Sequence, residues 1–278
     1  MIICCKGNFM KEMTWYKPKQ IEEVPLLLDR EGVKPHGGGT WILRGSLKNT
    51  RGLIDLGHLP LGFFRAGKSY IEIGPCLTYA ETVHKIEQVD RGHVLVKALR
   101  HAASTPLRNR ITVGGTISAF PAWSDLVGPL MALDTEVSLI GRNEGTYPVE
   151  EYVGTSSLRK NSLITSVRIR NEKWISFYHR EIRTRFDYPA FTVTILMKKA
   201  GQTVKDIRAV VVGSSGKYRR LDRTEESIRG HRTDDLIMEE IAGLDEIRFT
   251  RKKGLDPDYT GHLFRVVLER GLESAAGG

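Results

Sequence analysis

The chain has 278 residues, 40% hydrophobic and 27% charged, with a net charge of +9. That length suits one large domain or two modest ones, and that composition excludes a disordered chain. No apolar run approaches the roughly 20 residues of a membrane span.

The opening MIICCKGNFMKEM is too briefly apolar for a secretory core of about 7–15 residues, so a cytoplasmic location is expected. Cys4, Cys5 and Cys76 are an odd set without a CxxC pair. They predict neither a disulfide framework nor a metal or iron–sulfur site. The basic residues are scattered, and the densest stretch, 159–185, also carries Glu172 and Glu181. Without zinc-finger spacing, an RNA-binding aromatic motif or a basic arm, they read as a solvated surface that meets an acidic partner or substrate, not nucleic acid.

In chain order, residues 21–28 suggest a short helix with Pro25 in its first turn. GLIDL at 52–56 reads as a buried strand, and YIEI at 70–73 alternates as a strand until Gly74-Pro75 stops it. Thr78 is the expected N-cap of a helix reaching Val89, and a second helix is expected over 93–103. A Gly-Gly turn follows at 114–115, then helical spacing at 125–133 and strands at 136–140 and 162–170. Phe191, Val193, Ile195 and Met197 alternate with threonines, Ala200-Gly201 turns the chain, and 207–212 returns as a hairpin. Two helices close the sequence, the last with Asp256 as N-cap and Pro257 in its first turn. The expectation is an α+β protein with a front part at 1–170 and a smaller sheet-plus-helices part at 171–278.

Residues 62–69, GFFRAGKS, match the Walker A pattern literally. A working P-loop needs a helix directly after the lysine, so that helix amides cradle phosphate. The strand pattern YIEI follows instead, and a hairpin turn is predicted.

Two other glycine segments suit a diphosphate. HGGGT supplies Gly37, Gly38, Gly39 and Thr40, whose successive amides can form an anion-binding concavity. TVGGTIS supplies Gly114 and Gly115 flanked by the hydroxyls of Thr112, Thr116 and Ser118. Two such bends meeting in space would hold both phosphates. Neither follows the GxGxxG grammar of a Rossmann site. Asp125 either stabilises a helix N-terminus or accepts from ribose hydroxyls.

From these residues outward the chain resembles the FAD-binding subunit of molybdopterin dehydrogenases, of the xanthine dehydrogenase and carbon monoxide dehydrogenase type. HGGGTWIL looks like the family's AGGT-D-L loop, GLIDLGHL like its LIDL strand, and IEIGPCLTYAETV like its IGALTTLAEL stretch. The long block STPLRNRITVGGTISAFPAWSDLVGPLMALDTEV resembles its SPQIRN, TIGGNI, SP-ADL and LLALDA signature. Phe186-Asp187, VVGSSGKYRRL and the terminal helix agree more loosely. Trp41 stands where a small polar residue is usual, and Thr116 where asparagine is.

The resemblance implies a two-part FAD-binding domain (FAD-binding type 2, PCMH-like; parts about 1–59 and 60–170) and a C-terminal α+β domain. It implies that Gly37, Gly38, Gly39, Thr40 and Trp41 line the pyrophosphate and flavin edge. Thr112, Gly114, Gly115, Thr116 and Ser118 would form the second phosphate loop, Asp125 would meet ribose or ribityl hydroxyls, and Ile164 would pack on adenine or flavin. A basic residue near the flavin aligns loosely with His179 or Arg180. The implied role is electron transfer within a molybdenum hydroxylase. FAD would take electrons from an iron–sulfur small subunit, fed by a molybdenum-cofactor large subunit, and pass them to an acceptor such as NAD. No acid, base, nucleophile or metal ligand is needed on this chain. The alternatives are a stand-alone flavin oxidoreductase of the same fold and a basic nucleic-acid-binding protein.

Overall fold

A computed structural model describes residues 13–42, 49–184, 187–251 and 254–277. The expectations for the opening residues, for Cys4 and Cys5 and for Phe186 lie outside them. Three sheets follow one another along the chain. The first is parallel, with β3 (Gly52–Asp55) between β1 (Thr14–Tyr16) and β2 (Val33–His36). The GLID strand is central and buried, as its apolar run requires. Pro35 lacks an N–H and sits on the edge strand, where none is demanded. The short helix α1 (Val24–Leu28) carries Pro25 in its first turn, and Val24 and Leu28 close a small core with Ile54, Leu56 and Leu61.

The second sheet is antiparallel, in the order β4 (Phe64–Ala66), β5 (Tyr70–Ile73), β8 (Ser162–Arg170), β6 (Glu136–Gly141), β7 (Gly145–Pro148). The Walker-like segment is the β4–β5 hairpin, with Gly67 N–H donating to the Tyr70 carbonyl at 2.8 Å. β7 was not expected, since GTYP is short and ends in proline.

Helices pack on one face of this sheet. α2 (Tyr79–Glu87) opens with a reciprocal cap: Glu81 N–H donates to Thr78 Oγ1 at 3.3 Å and Thr78 N–H to Glu81 Oε2 at 2.9 Å. α3 (Val94–Leu99) is shorter than the expected 93–103. α4 (Thr105–Arg108) is a single turn, α5 (Val113–Ala119) replaces the predicted glycine turn, and α6 (Val127–Ala132) follows. α7 (Val149–Gly154) leads towards β8.

The third sheet is antiparallel in the order β12 (Lys217–Arg220), β11 (Thr203–Ser214), β10 (Phe191–Ala200), β9 (Ile175–Glu181). Its central hairpin is the predicted one; both outer strands were missed. Phe191, Val193, Ile195 and Met197 share a core with Phe264, Val267, Leu268 and Leu272 of α10 (Pro257–Gly277). Asp256 Oδ1 accepts from the N–H groups of Asp258 and Tyr259 at 3.0 and 3.3 Å, the predicted N-cap role. Among the described residues three α-helices follow β12 where two helices were expected: α8 (Asp222–Ile228), α9 (Met238–Ile241) and α10.

Thr192 and Thr194 lie on the opposite face of β10 and are also fully buried, because α6 covers them. Gly128 makes that approach possible: a Cβ there would stand 2.9 Å from Val212 Cγ2. Of the helices on the second sheet, α3 and α6 thus lie between it and the third.

Two substitutions test this frame by thermal melting. Thr78→Ala should cost about 1 kcal/mol through loss of the α2 cap. Gly128→Val should cost about 1–3 kcal/mol by overpacking the α6–sheet contact.

Candidate cofactor-binding cavity

One large cavity, about 590 Å³, opens where the end of β2 meets the start of α5. Its size is that of a small-molecule site. All twelve sequence-predicted residues line it: Gly37, Gly38, Gly39, Thr40, Trp41, Thr112, Gly114, Gly115, Thr116, Ser118, Asp125 and Ile164. None of residues 62–69 does.

The two glycine segments touch. A Cβ on Gly38 would stand 1.5 Å from the Arg110 carbonyl oxygen, and one on Gly37 would stand 3.3 Å from Thr112 Oγ1. Arg110 closes the contact by donating from Nε and Nη2 to the Gly38 carbonyl at 3.2 and 3.0 Å. Gly39 has φ +75°, open to glycine at no steric cost. Among the described residues the N–H groups of Gly38, Gly39 and Thr40 have no acceptor. Buried or half-buried amides without partners are costly, and an anion would satisfy them.

The second segment differs from its prediction. It is a helix N-terminus, not a turn, and most of its amides are engaged. Gly114 N–H donates to the Pro75 carbonyl at 2.8 Å and Val113 N–H to the Leu77 carbonyl at 2.9 Å. Thr112 Oγ1, the N-cap, takes the Gly115 N–H at 3.2 Å. Gly114 serves packing, since its Cβ would stand 2.4 Å from Pro75 Cβ. Gly115 is exposed on the cavity side. The hydroxyl of Thr116 is committed, donating to the Thr112 carbonyl and accepting from Tyr79, both at 3.0 Å. Ser118 is exposed, and its Oγ accepts from Tyr152 at 3.3 Å, which leaves its own proton for a ligand. The amide donors therefore come chiefly from the first bend, while the second gives a close approach and the positive end of a short helix.

Asp125 does not cap α6; Ser124 Oγ does, accepting from the N–H groups of Leu126 and Val127, both at 3.2 Å. Asp125 is 6% exposed. Its Oδ1 receives Tyr178 Oη at 2.7 Å and Arg180 Nε at 2.8 Å. Burial pushes its carboxyl up to about 6, against the opposing pull of Arg180 and Tyr178. Ile164 lies in the wall between cavity and core. His179 pairs with Glu181 at 3.0 Å, while Arg180 is turned to Asp125.

Of the aromatic rim, sequence reasoning named Trp41 and missed Trp123 and Tyr188. Trp123 stands 6.1 Å from Trp41 and 4.9 Å from Tyr188 between ring centroids, and all three line the cavity. Nothing in the sequence joins positions so far apart. It also missed the lining cations Lys34, Arg159 and Lys160. Asp125 is the one lining acid among the described residues, and it is already paired, so the cavity favours an anion. Burial and Asp55 push the lining thiol of Cys76 up to about 11, which keeps it neutral and poorly nucleophilic. No group of His, Cys, Asp and Glu among the described residues could hold a metal ion, and no described helix is long and apolar enough to cross a membrane.

A cavity of about 590 Å³ where two non-Rossmann glycine segments meet beside lining cations is the kind of site that takes a dinucleotide. Residues 11–170 match the model of the FAD binding domain in molybdopterin dehydrogenase; the chain belongs to this family, and FAD is its cofactor. It is 29% identical over 184 residues to the nicotine 6-hydroxylase medium subunit of Paenarthrobacter nicotinovorans, an alignment spanning 64% of this chain and 65% of that one. It is 22% identical over 245 residues to the glyceraldehyde dehydrogenase medium chain of Sulfolobus acidocaldarius, spanning 83% and 86%. The fold matches a chain of quinoline 2-oxidoreductase from Pseudomonas putida 86, with TM-score 0.87, 17% identity and coverage of 96% and 98%. It also matches a chain of carbon monoxide dehydrogenase from Hydrogenophaga pseudoflava, with TM-score 0.85, 22% identity and coverage of 95% and 96%. The unpaired amides of the first bend, beside the lining cations Lys34, Arg159 and Lys160, fit a diphosphate.

Gly38→Ala must part the two segments, so flavin affinity should fall on the order of 100-fold, about 3 kcal/mol. Flavin absorbance per protein after purification measures it. Gly62→Ala, in the Walker-like hairpin where a Cβ meets nothing within 4 Å, should leave flavin content unchanged.

Proposed function

We propose that this chain is the FAD-carrying electron-transfer subunit of a molybdenum hydroxylase. Electrons arrive from iron–sulfur clusters on a small subunit, fed by a large subunit with the molybdenum cofactor, and leave to an acceptor such as NAD. The observation that carries this reading is the meeting of Gly37–Thr40 with the Thr112–Ser118 helix start around one cation-lined cavity. The names of the two curated relatives, medium subunit and medium chain, support a place in a larger assembly. In this reading residues 1–170 hold the cofactor, with parts at about 1–59 and 60–170, and 171–278 form the second unit.

Bound FAD supplies the redox chemistry, accepting and releasing electrons. The protein's part is to bind and orient it. The amides of Gly38, Gly39 and Thr40 hold the diphosphate, Gly115 lets it approach α5, and Ser118 donates a hydroxyl. Trp41, Trp123 and Tyr188 wall one end of the cavity and limit water there. Ile164 gives an apolar contact for a ring.

The test is purification of the tagged chain from its native host. A flavin spectrum with co-eluting molybdenum and iron, and NADH formation from NAD on reduction of the complex, would support the reading. A yellow protein that elutes alone and oxidises a small substrate unaided would replace it with a stand-alone flavin oxidoreductase. Gly115→Asp would set a carboxylate against phosphate, a like-charge contact costing several kcal/mol. Flavin retention should then drop by about 100-fold or more; unchanged flavin content would remove the second segment from the site.

A further inference from the structure

The Asp125 carboxylate is held from one side. Tyr178 and Arg180 both donate to Oδ1, at 2.7 and 2.8 Å, and Oδ2 has no partner among the described residues. The side chain is more than nine-tenths buried yet lines the cavity. Residues two apart on a strand share a face, so Tyr178 and Arg180 of β9 point together towards the start of α6. Their partners on β10 are Thr194 and Thr192, the threonine face that α6 covers. Arg180 is itself fixed: its Nη2 donates to the Asp187 carbonyl at 2.9 Å and the Ala102 carbonyl at 3.4 Å, and its side chain is 12% exposed.

We propose that Tyr178 and Arg180 are positioning residues of the FAD site: they clamp Oδ1 of Asp125 so that Oδ2 faces the cavity and accepts a hydrogen bond from a hydroxyl of the cofactor. The inference rests on the reading that Asp125 meets the cofactor, and it adds that the third sheet holds that contact in place. A carboxylate with one oxygen clamped cannot rotate away from its ligand, so little ordering entropy opposes binding. Only the ionised form can use both oxygens as acceptors.

The tyrosines around Asp125 do not titrate near neutrality. Tyr79 of α2 is fully buried, bonded to Thr116, and pushed up by burial; Tyr178 is pushed up by burial and by Asp125 itself. Tyr218 of β12, which faces Tyr79, is raised likewise. No histidine among the described residues is bonded to the carboxylate. A pH dependence of FAD affinity near 6 that Asp125→Ala abolishes reports on Asp125.

The experiment titrates FAD into the flavin-free full chain from pH 5 to 8, following flavin fluorescence. In the wild type affinity should fall about tenfold per pH unit below about 6, as the acceptor is protonated. Tyr178→Phe removes only a hydroxyl that stabilises the ionised form, so its fall should begin at higher pH, with about 3–10-fold weaker binding at pH 7. Arg180→Gln should move the fall further up, and Arg180→Lys should restore part of it. A Tyr178→Phe profile superimposable on the wild type overturns the positioning role, whatever its melting temperature. Asp125→Ala, which leaves no polar group, separates the two ideas: if it binds FAD as the wild type does, Asp125 is no ligand and the underlying reading fails. If it binds weakly while Tyr178→Phe keeps the wild-type profile, Asp125 stays in the site and only the clamp is lost.

Discussion

The contact between Gly38 and the Arg110 carbonyl is the constraint on which the cavity depends. Position 38 has no room for any side chain, and the Arg110 guanidinium returns across the same gap to the Gly38 carbonyl. This contact joins the loop after the parallel sheet to the segment before α5, 72 residues later. It brings the residues of the three acceptor-free amides and Thr112 and Gly115 to the wall of one cavity. The three glycines of HGGG do different things: Gly37 clears Thr112, Gly38 clears Arg110, and Gly39 takes a positive φ beside His36.

The third sheet completes the site from behind. α6 lies between the two antiparallel sheets, and its glycine lets the buried threonine face of β10 come close. That packing puts β9 next to the start of α6, where Asp125 meets Tyr178 and Arg180. A buried ion pair gives little net stability, but removal of one partner leaves a charge stranded. Its value here is geometric. The same sheet shows where much of the positive charge goes. Asp134 bridges Arg208 and Arg220, Glu225 takes Arg220 and the Ala209 N–H at 2.8 Å each, and Trp174 lies between Lys198 and Arg208. These cations are structural partners of acids and aromatics.

Much of this was legible in the sequence because the signals were local. The Thr78 and Asp256 caps, the strand after Lys68 that forbids a P-loop, and the 191–212 hairpin each depend on a few adjacent residues. The glycine segments were recognisable for the same reason, and the ordered resemblance placed Asp125 and Ile164 beside them. The missed elements were those without a local signature. β7 is four residues long, and β9 and β12 are outer strands carrying His179, Arg180, Arg219 and Arg220. The aromatic rim joins positions 41, 123 and 188, which no period or spacing links.

By itself the sequence determined where backbone can bend without side chains and which stretches with a clear period or cap are helix or strand. Those properties follow from backbone sterics and hydrophobic period, which act over a few residues. Tertiary structure alone decided which amides stay free, that the second glycine pair opens a helix with its amides engaged, and that Asp125 answers to β9 and not to its own helix. It also buried both faces of β10, although alternating threonines suggest an open face. Whether a donor or a carboxylate oxygen is available depends on what packing brings within about 3 Å of it, and distant parts of the chain supply those neighbours.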